Sequence, residues 1–416
     1  MKSWINFKVK IAVFFHYAPL LLKRGMSMTQ FNLFIKRLLL FLSKLQHNKF
    51  QKMPNGIRLD LYVPSFSSRA FYTACDKFKI FGEKLPCTGV LLSVTSACMY
   101  NCKHCYQRLD RGKDTDIDLL IGAAKKLQDM GVAFFNIEGG EPFLRFDRLK
   151  AVCDVIDDRS EIWVNSTGYG MTLDNLRQLK ISAVMFSLHS PDIAEFNEFM
   201  GHNEAWSNME NGIELCHKLG IPVAFNACLM KDAFYNGAFE KIMDIAKEKG
   251  ASIIQIIKPK PSGAWLSDDP AFFNEHDLEV AIKKINEFNL CKKYYDYPAI
   301  SAQIIEEDPA VFGCTAGGTD RFYINAKGDV QPCEFLNISF GNIIEEKFED
   351  IYSKMRSCFQ TPGTCMLCEK MSAKISGLFK DNNLSVLPLT TELSKQVYES
   401  WETGEPTDLY KKMNTI

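Results

Sequence analysis

The chain has 416 residues, 46% apolar and 24% charged. That is enough for two or three packed units and excludes a disordered chain, a coiled coil and a collagen-like fibre. The formal net charge of −1 conceals an asymmetry. No Asp or Glu precedes Asp60, so residues 1–59 carry +11, and the remainder, with 38 basic against 50 acidic residues, carries −12.

The first 85 residues read as a basic, apolar, helical extension. Lys2, Lys8 and Lys10 precede an apolar run at 11–22, but Lys23-Arg24 follows it in place of a small-residue cleavage site. The run is too short to span a bilayer. Residues 31–45 have helical apolar spacing through Phe31, Phe34, Ile35, Leu38, Leu42 and Leu45, with a narrow stripe of Lys36, Arg37, Ser43 and Lys44. Two readings stand side by side: a helix lying in a membrane interface, or one packed on the protein's own core. The apolar content argues against nucleic acid as the partner.

From residue 86 to 260 the pattern alternates. β-rich runs at 90–95, 133–137, 161–165, 183–188, 222–228 and 252–257 are separated by helical patterns at 116–130, 146–156, 173–179, 205–219 and 237–249. This predicts a parallel α/β unit, either a partial barrel or an open wound sheet. Residues 261–312 form a connector with one helix near 278–288. A hairpin at 322–335 opens a small cysteine-bearing unit spanning 313–370, and a tail without motifs runs over 371–416.

Cysteine usage carries the chemistry. Fourteen cysteines are more than a chain this long needs as staples, and half of them fall in metal-ligand spacings, which suits a reducing, cytoplasmic setting. Cys98-Met-Tyr-Asn-Cys102-Lys-His-Cys105 follows the first strand, where α/β sites form. A structural zinc site wants four closed ligands. Three thiolates suit an iron–sulfur cluster that keeps one iron open.

CxxxCxxC in this position resembles the radical S-adenosylmethionine (radical SAM) superfamily. Gly139-Gly140-Glu141-Pro142, after the second strand, matches that family's GGEP motif. The resemblance implies a partial (β/α)6 barrel in which Cys98, Cys102 and Cys105 hold a [4Fe–4S] cluster. His104 takes the aromatic position before the third cysteine. Gly139, Gly140, Glu141 and Pro142, with Asn165, Ser166 and Ser187 on later strands, lie where the family contacts S-adenosylmethionine. The activity implied is reductive cleavage of S-adenosylmethionine to a 5′-deoxyadenosyl radical that takes hydrogen from an unactivated C–H. An electron donor such as flavodoxin or ferredoxin would reduce the cluster.

Cys314, the GxxxxC unit Gly328–Cys333, and Cys365-Met-Leu-Cys368 form a second set. It resembles the twitch form of the SPASM domain, which implies that Cys314, Cys333, Cys365 and Cys368 hold one auxiliary [4Fe–4S] cluster. Zinc is the rival metal for four cysteines ending in CxxC, and Cys358 is an alternative ligand. No cysteine follows Cys368, so a second auxiliary cluster is not expected. The substrate stays open among a lipid-linked or membrane-proximal molecule, a peptide, as for a maturase, and a small molecule such as a sugar alcohol. A non-catalytic zinc protein at a membrane is the rival from another class.

Overall fold

The structure is a computed structural model that describes residues 2–22, 25–45, 49–80, 87–266 and 273–415. Its N-terminal unit comprises α1 (Lys2–Tyr17), α2 (Pro19–Leu22), α3 (Met28–Lys44), the hairpin β1 (Gln51–Met53) and β2 (Gly56–Arg58), and α4 (Arg69–Asp76). A capping box starts α3. Ser27 Oγ accepts from the Gln30 amide, and Gln30 Oε1 accepts from the Ser27 amide. The buried side chains Phe31, Phe34, Leu38 and Phe41 then pack among Val9, Val13, Tyr17, Phe71 and Phe78. The broad face of residues 31–45 is therefore covered by the protein itself, and the membrane reading of this helix is corrected.

A nine-stranded sheet follows. Its strands are β3 (Gly89–Ser93), β4 (Phe134–Glu138), β5 (Glu161–Ser166), β6 (Ala183–Ser187), β7 (Val223–Cys228), β8 (Ile253–Ile257), β9 (Ala299–Ala302), β10 (Tyr323–Ile324) and β11 (Val330–Gln331). The order β11-β10-β3-β4-β5-β6-β7-β8-β9 leaves the ends unpaired, giving a partial barrel. Strands β3 to β9 are parallel. The hairpin expected at 322–335 extends the same sheet through β10, parallel to β3.

Between the parallel strands run α5 (Ile117–Asp129), α6 (Phe146–Val155), α7 (Leu173–Arg177), α8 (Ile193–Met200), α9 (Ala205–Lys218), α10 (Ala238–Glu248) and α11 (Glu275–Leu290). The short α12 (Gln303–Glu306) follows β9. The last segment holds α13 (Phe348–Cys358), α14 (Leu367–Lys370), α15 (Ser372–Asp381), α16 (Thr391–Tyr398) and α17 (Asp408–Thr415). The tail, which carries no motif, closes the N-terminal unit. Leu409, Tyr410 and Met413 join its core, and Arg37 Nε donates to the Met413 carbonyl at 2.9 Å.

Side-chain alternation divides the strands. Residues such as Val90, Leu92, Phe135, Ile137, Val164, Phe225 and Ile254 pack outward against the helices. The inward positions form two layers. The lower, toward the strand N-termini, is apolar: Phe134, Trp163, Ala183, Met185, Ala224, Ile253 and Ala299, closed from below by Met53 and Leu61. The upper layer is polar: Asn136, Glu138, Asn165, Ser187, Asn226, Gln255 and Ser301.

One buried ion pair pins the floor. Arg58 Nη1 meets Glu161 Oε1 at 2.5 Å, and its guanidinium lies 4.4 Å from the Trp163 ring centre. Trp163 Nε1 and the Ser65 amide also donate to Glu161, so the buried charge is satisfied from several sides. The hairpin segment is therefore a stopper that keeps water out of the barrel's lower end.

Candidate active site

The first cysteine loop leaves β3 and is held by the glycine loop that leaves β4. The Gly140 amide donates to the Thr95 carbonyl at 2.7 Å and the Glu141 amide to the Ala97 carbonyl at 2.8 Å. A Cβ on Gly140 would sit 2.2 Å from the Ala97 oxygen and 2.9 Å from Cys98 Cβ; one on Gly139 would sit 2.6 Å from the Thr95 oxygen. Both glycines are needed for the two loops to touch.

Glu141 is wholly buried and clamps a third loop to these two. Its Oε1 accepts from Ser166 Oγ at 2.8 Å, and its Oε2 accepts from the Thr167 amide and hydroxyl at 2.7 and 2.6 Å. Glu141 and Ser166, both expected to touch a cofactor, are thus bonded to each other. Pro142 opens the short turn that continues toward α6.

Cys98, Cys102 and Cys105 come together as free, partly exposed thiols. Burial raises all three, Cys98 to about 11; the neighbouring thiols add to the rise at Cys98 and Cys102, and Glu138 adds to it at Cys105. Three such thiolates need a cationic group between them, as an iron–sulfur cluster provides. The loop is tied down by Arg108, which donates to the Cys102 carbonyl at 2.6 Å.

Two histidines cover this loop. His104 stacks on Phe199 with centroids 4.8 Å apart, and His189 lies 4.3 Å from His104. Burial holds His104 down to about 4 and pushes His189 well below the ordinary imidazole value, which favours the neutral form of each. His189 Nδ1 accepts from the Cys228 amide at 3.0 Å. Among the described residues, His104 Nδ1 and His189 Nε2 are buried without a hydrogen-bond partner, as are Asn136 Oδ1, Asn165 Oδ1 and Asn226 Oδ1 in the upper layer. Buried orphans of this kind fit a polar ligand in the chamber.

Glu138 and Tyr106 carry no sequence motif, yet the fold places them at the chamber's rim. Tyr106 Oη donates to Glu138 Oε1, and Asn165 Nδ2 donates to Glu138 Oε2 at 3.2 Å. Burial pushes Glu138 up to about 8. Tyr106 follows Cys105, and its ring lies 5.9 Å from Tyr323 and 5.8 Å from Phe335. Phe335 in turn lines the pocket that holds cysteines of the second set.

In that set Cys314, Cys333 and Cys368 line one cavity of about 80 Å³, with Tyr62, Arg321 and Phe312. Cys365 stands three residues before Cys368, just ahead of α14. Cys358 lies in a different pocket, with Tyr398 and Trp401. Among the described residues no three His, Cys, Asp or Glu side chains could hold a single metal ion. A zinc ion with bonds of ~2.3 Å would need its sulfurs within about 4 Å of one another, whereas a cubane spreads its thiolates over its corners.

Comparison with known proteins agrees with this geometry. Residues 92–244 match the Radical SAM superfamily model, and residues 314–370 match the SPASM iron–sulfur cluster-binding domain. An AdoMet-dependent heme synthase of Nitratidesulfovibrio vulgaris is 25% identical over 314 residues, covering 68% of this chain and 85% of the relative. A GTP 3′,8-cyclase of Stenotrophomonas maltophilia is 24% identical over 277 residues, covering 61% and 82%. Among solved structures, Streptococcus suis SuiB bound to precursor peptide SuiA shares the fold at a TM-score of 0.55 and 14% identity, over 80% of this chain and 83% of that one. Native anSMEcpe with bound AdoMet does so at 0.51 and 15%, over 78% and 96%.

The chain belongs to the radical SAM superfamily and carries a SPASM domain. Its cofactors are accordingly S-adenosylmethionine, a radical SAM [4Fe–4S] cluster and an auxiliary cluster.

Proposed function

We propose that Cys98, Cys102 and Cys105 hold the S-adenosylmethionine-binding cluster, and that Cys314, Cys333, Cys365 and Cys368 hold the auxiliary one. When bound, these groups supply reductive cleavage of S-adenosylmethionine and abstraction of hydrogen from an unactivated C–H. The chain's own residues prepare the chamber. Gly139 and Gly140 bring the two loops into contact, and Glu141, Pro142 and Ser166 fix the entrance. His104, Asn165 and Ser187 offer ring and polar contacts to the cofactor. The Arg58–Glu161 floor excludes water, which protects a reactive intermediate from side reactions.

An oxidation at carbon that begins with loss of a hydrogen atom must also release one electron, for which the auxiliary group would supply the acceptor, and one proton. Glu138 is a buried carboxylate at the upper rim, hydrogen-bonded to Tyr106 and Asn165. In its ionised form, which gains population as pH rises toward and past about 8, it is the group placed to take that proton, and net loss of two hydrogens from the substrate would make the enzyme an oxidoreductase. The substrate is membrane-proximal and lipid-linked, presented on the cytoplasmic side, and the reductant is a flavodoxin- or ferredoxin-like donor. Support for the membrane side is the acid-free, +11 N-terminal stretch.

The observation that carries the reading is the placement of three buried or half-buried thiols on one loop, held by the Gly139-Gly140 loop and covered by orphaned polar atoms. Anaerobic purification tests it. Brown protein absorbing near 400 nm with about eight irons per chain is expected for two cubanes. Colourless protein containing zinc would replace this reading with that of a zinc protein.

A further inference from the structure

Helix α1 is apolar on both faces, and only one of them is used. Val9, Val13 and Tyr17 are buried in the N-terminal core. His16 stacks on Tyr72 at 3.7 Å, and Tyr17 Oη donates to Asp76 Oδ1 at 2.7 Å, so the helix is fixed rigidly to the body. On the far side Trp4, Phe7, Ile11, Phe14 and Phe15 project outward. Phe15 is 68% exposed, Phe7 60% and Trp4 57%. At 3.6 residues per turn these five span an arc of roughly 100° centred opposite the buried stripe. A helix that carries a second apolar stripe opposite its buried one calls for apolar surroundings on that side too.

The chemistry around the stripe says what lies there. Lys8 and Lys10 are exposed at its edges, and Lys8 Nζ sits 3.6 Å from the Trp4 ring centre. No acidic residue occurs in this helix, or anywhere before Asp60. The nearby acid, Asp76, is engaged by Tyr17 on the buried side. Aromatic side chains flanked by lysines match a lipid headgroup boundary, where rings enter and ammonium groups meet anionic phosphates. Among the described residues no helix is long and apolar enough to cross a membrane, so contact of this element with a bilayer would be along its surface.

We propose that the Trp4/Phe7/Ile11/Phe14/Phe15 face of α1 docks the enzyme on an anionic membrane surface. Its consequence for catalysis rests on the membrane-proximal substrate proposed above; the docking itself requires no cluster and no turnover. Helix α3 serves as the support beneath it: Phe14 contacts Phe31 of α3 edge-on at 5.8 Å.

The test is sedimentation of the full-length holoprotein with sucrose-loaded vesicles of phosphatidylcholine, with and without about 30 mol% phosphatidylglycerol. Binding is expected on the anionic vesicles, with a loss of about fivefold for each of Lys8→Gln and Lys10→Gln. The triple variant Trp4→Ser, Phe7→Ser, Phe15→Ser should lose at least tenfold while its melting temperature and iron content stay unchanged. In the wild type, brominated lipid should quench tryptophan fluorescence, and Trp4→Phe should abolish the quenching. Equal pelleting of the triple variant, no preference for anionic lipid, or absence of quenching would overturn the proposal. So would a dimer that the triple variant dissolves, with no vesicle binding by the wild type. Docking without formation of 5′-deoxyadenosine would sink the catalytic reading and leave the surface standing; the reverse outcome would do the opposite.

Discussion

Replacing Gly140 by alanine should disable the enzyme through one methyl group. The new Cβ would lie 2.2 Å from the Ala97 oxygen and 2.9 Å from Cys98 Cβ. Relief requires the two loops to part by about 1 Å, and forced overpacking of this kind costs about 1–3 kcal/mol. The bonds from Gly140 to Thr95 and from Glu141 to Ala97, 2.7 and 2.8 Å long, would stretch beyond useful range. Each is worth about 1 kcal/mol, bringing the total to roughly 3–5 kcal/mol, concentrated on the cysteine loop. A displacement of about 1 Å at a reacting centre can cost on the order of 100-fold in rate. The assay is iron per chain, melting temperature and the rate of 5′-deoxyadenosine formation, measured beside Gly377→Ala. Gly377 lies in α15 with no atom within 4 Å of an added Cβ. That control should match or exceed wild-type stability by up to about 1 kcal/mol. A Gly140→Ala enzyme with full iron content and wild-type rate would refute the packing argument.

Three further outcomes follow from the same geometry. Arg58→Met leaves Glu161 without its counter-ion beneath the barrel and should cost about 3–5 kcal/mol in thermal or denaturant unfolding; a loss under 1 kcal/mol would mean the floor is not closed as described. Glu138 has a folded-state value raised to about 8 from 4.5. The folded state therefore binds the extra proton between those values, and this group's contribution to stability falls as pH rises through that window. Glu138→Gln should melt higher than wild type above pH 8, by a margin that shrinks to nothing below about pH 4.5, and should lose substrate oxidation while keeping 5′-deoxyadenosine formation. Cys358→Ser should retain about eight irons and Cys368→Ser about four; iron analysis giving the opposite order would exchange their roles.

Much of the architecture was legible because it rests on periodicity. The runs at 133–137 and 252–257 became β4 and β8 because β-branched and aromatic residues stand between helices of the right length. The helix expected at 278–288 is α11, extended at its start by the Asn274–Asp277 capping box. The two cysteine sets were visible as spacings. Residues 31–45 were ambiguous for a physical reason: an apolar stripe specifies burial but does not name what covers it, and the cover came from α1, α4 and the distant α17. The exposed stripe of α1 was hidden because apolar residues stand on both its buried and its outer side, and its few polar residues, such as Lys8 and Lys10, lie at the edges between them and do not mark the outside.

The inner chamber left a signal in the sequence that helix and strand periodicity alone does not single out. Asn136 and Glu138, Asn165, Asn226 and Gln255 are polar residues at alternate positions of otherwise apolar strands, and that parity marks a face turned toward a ligand. Glu141 and Ser166 show the converse. Their identity fitted cofactor contact, yet only the folded loops reveal that they bond to each other. Tyr106 had no sequence signal beyond its place after Cys105.

The central claim is that Cys98, Cys102 and Cys105 hold the cluster on which S-adenosylmethionine is cleaved. Wild-type enzyme and a variant with all three changed to alanine should be purified anaerobically, reduced, given S-adenosylmethionine and assayed for 5′-deoxyadenosine and iron. The wild type should form 5′-deoxyadenosine with about eight irons per chain, and the variant should form none while keeping about four. Continued 5′-deoxyadenosine formation by the variant would contradict the account.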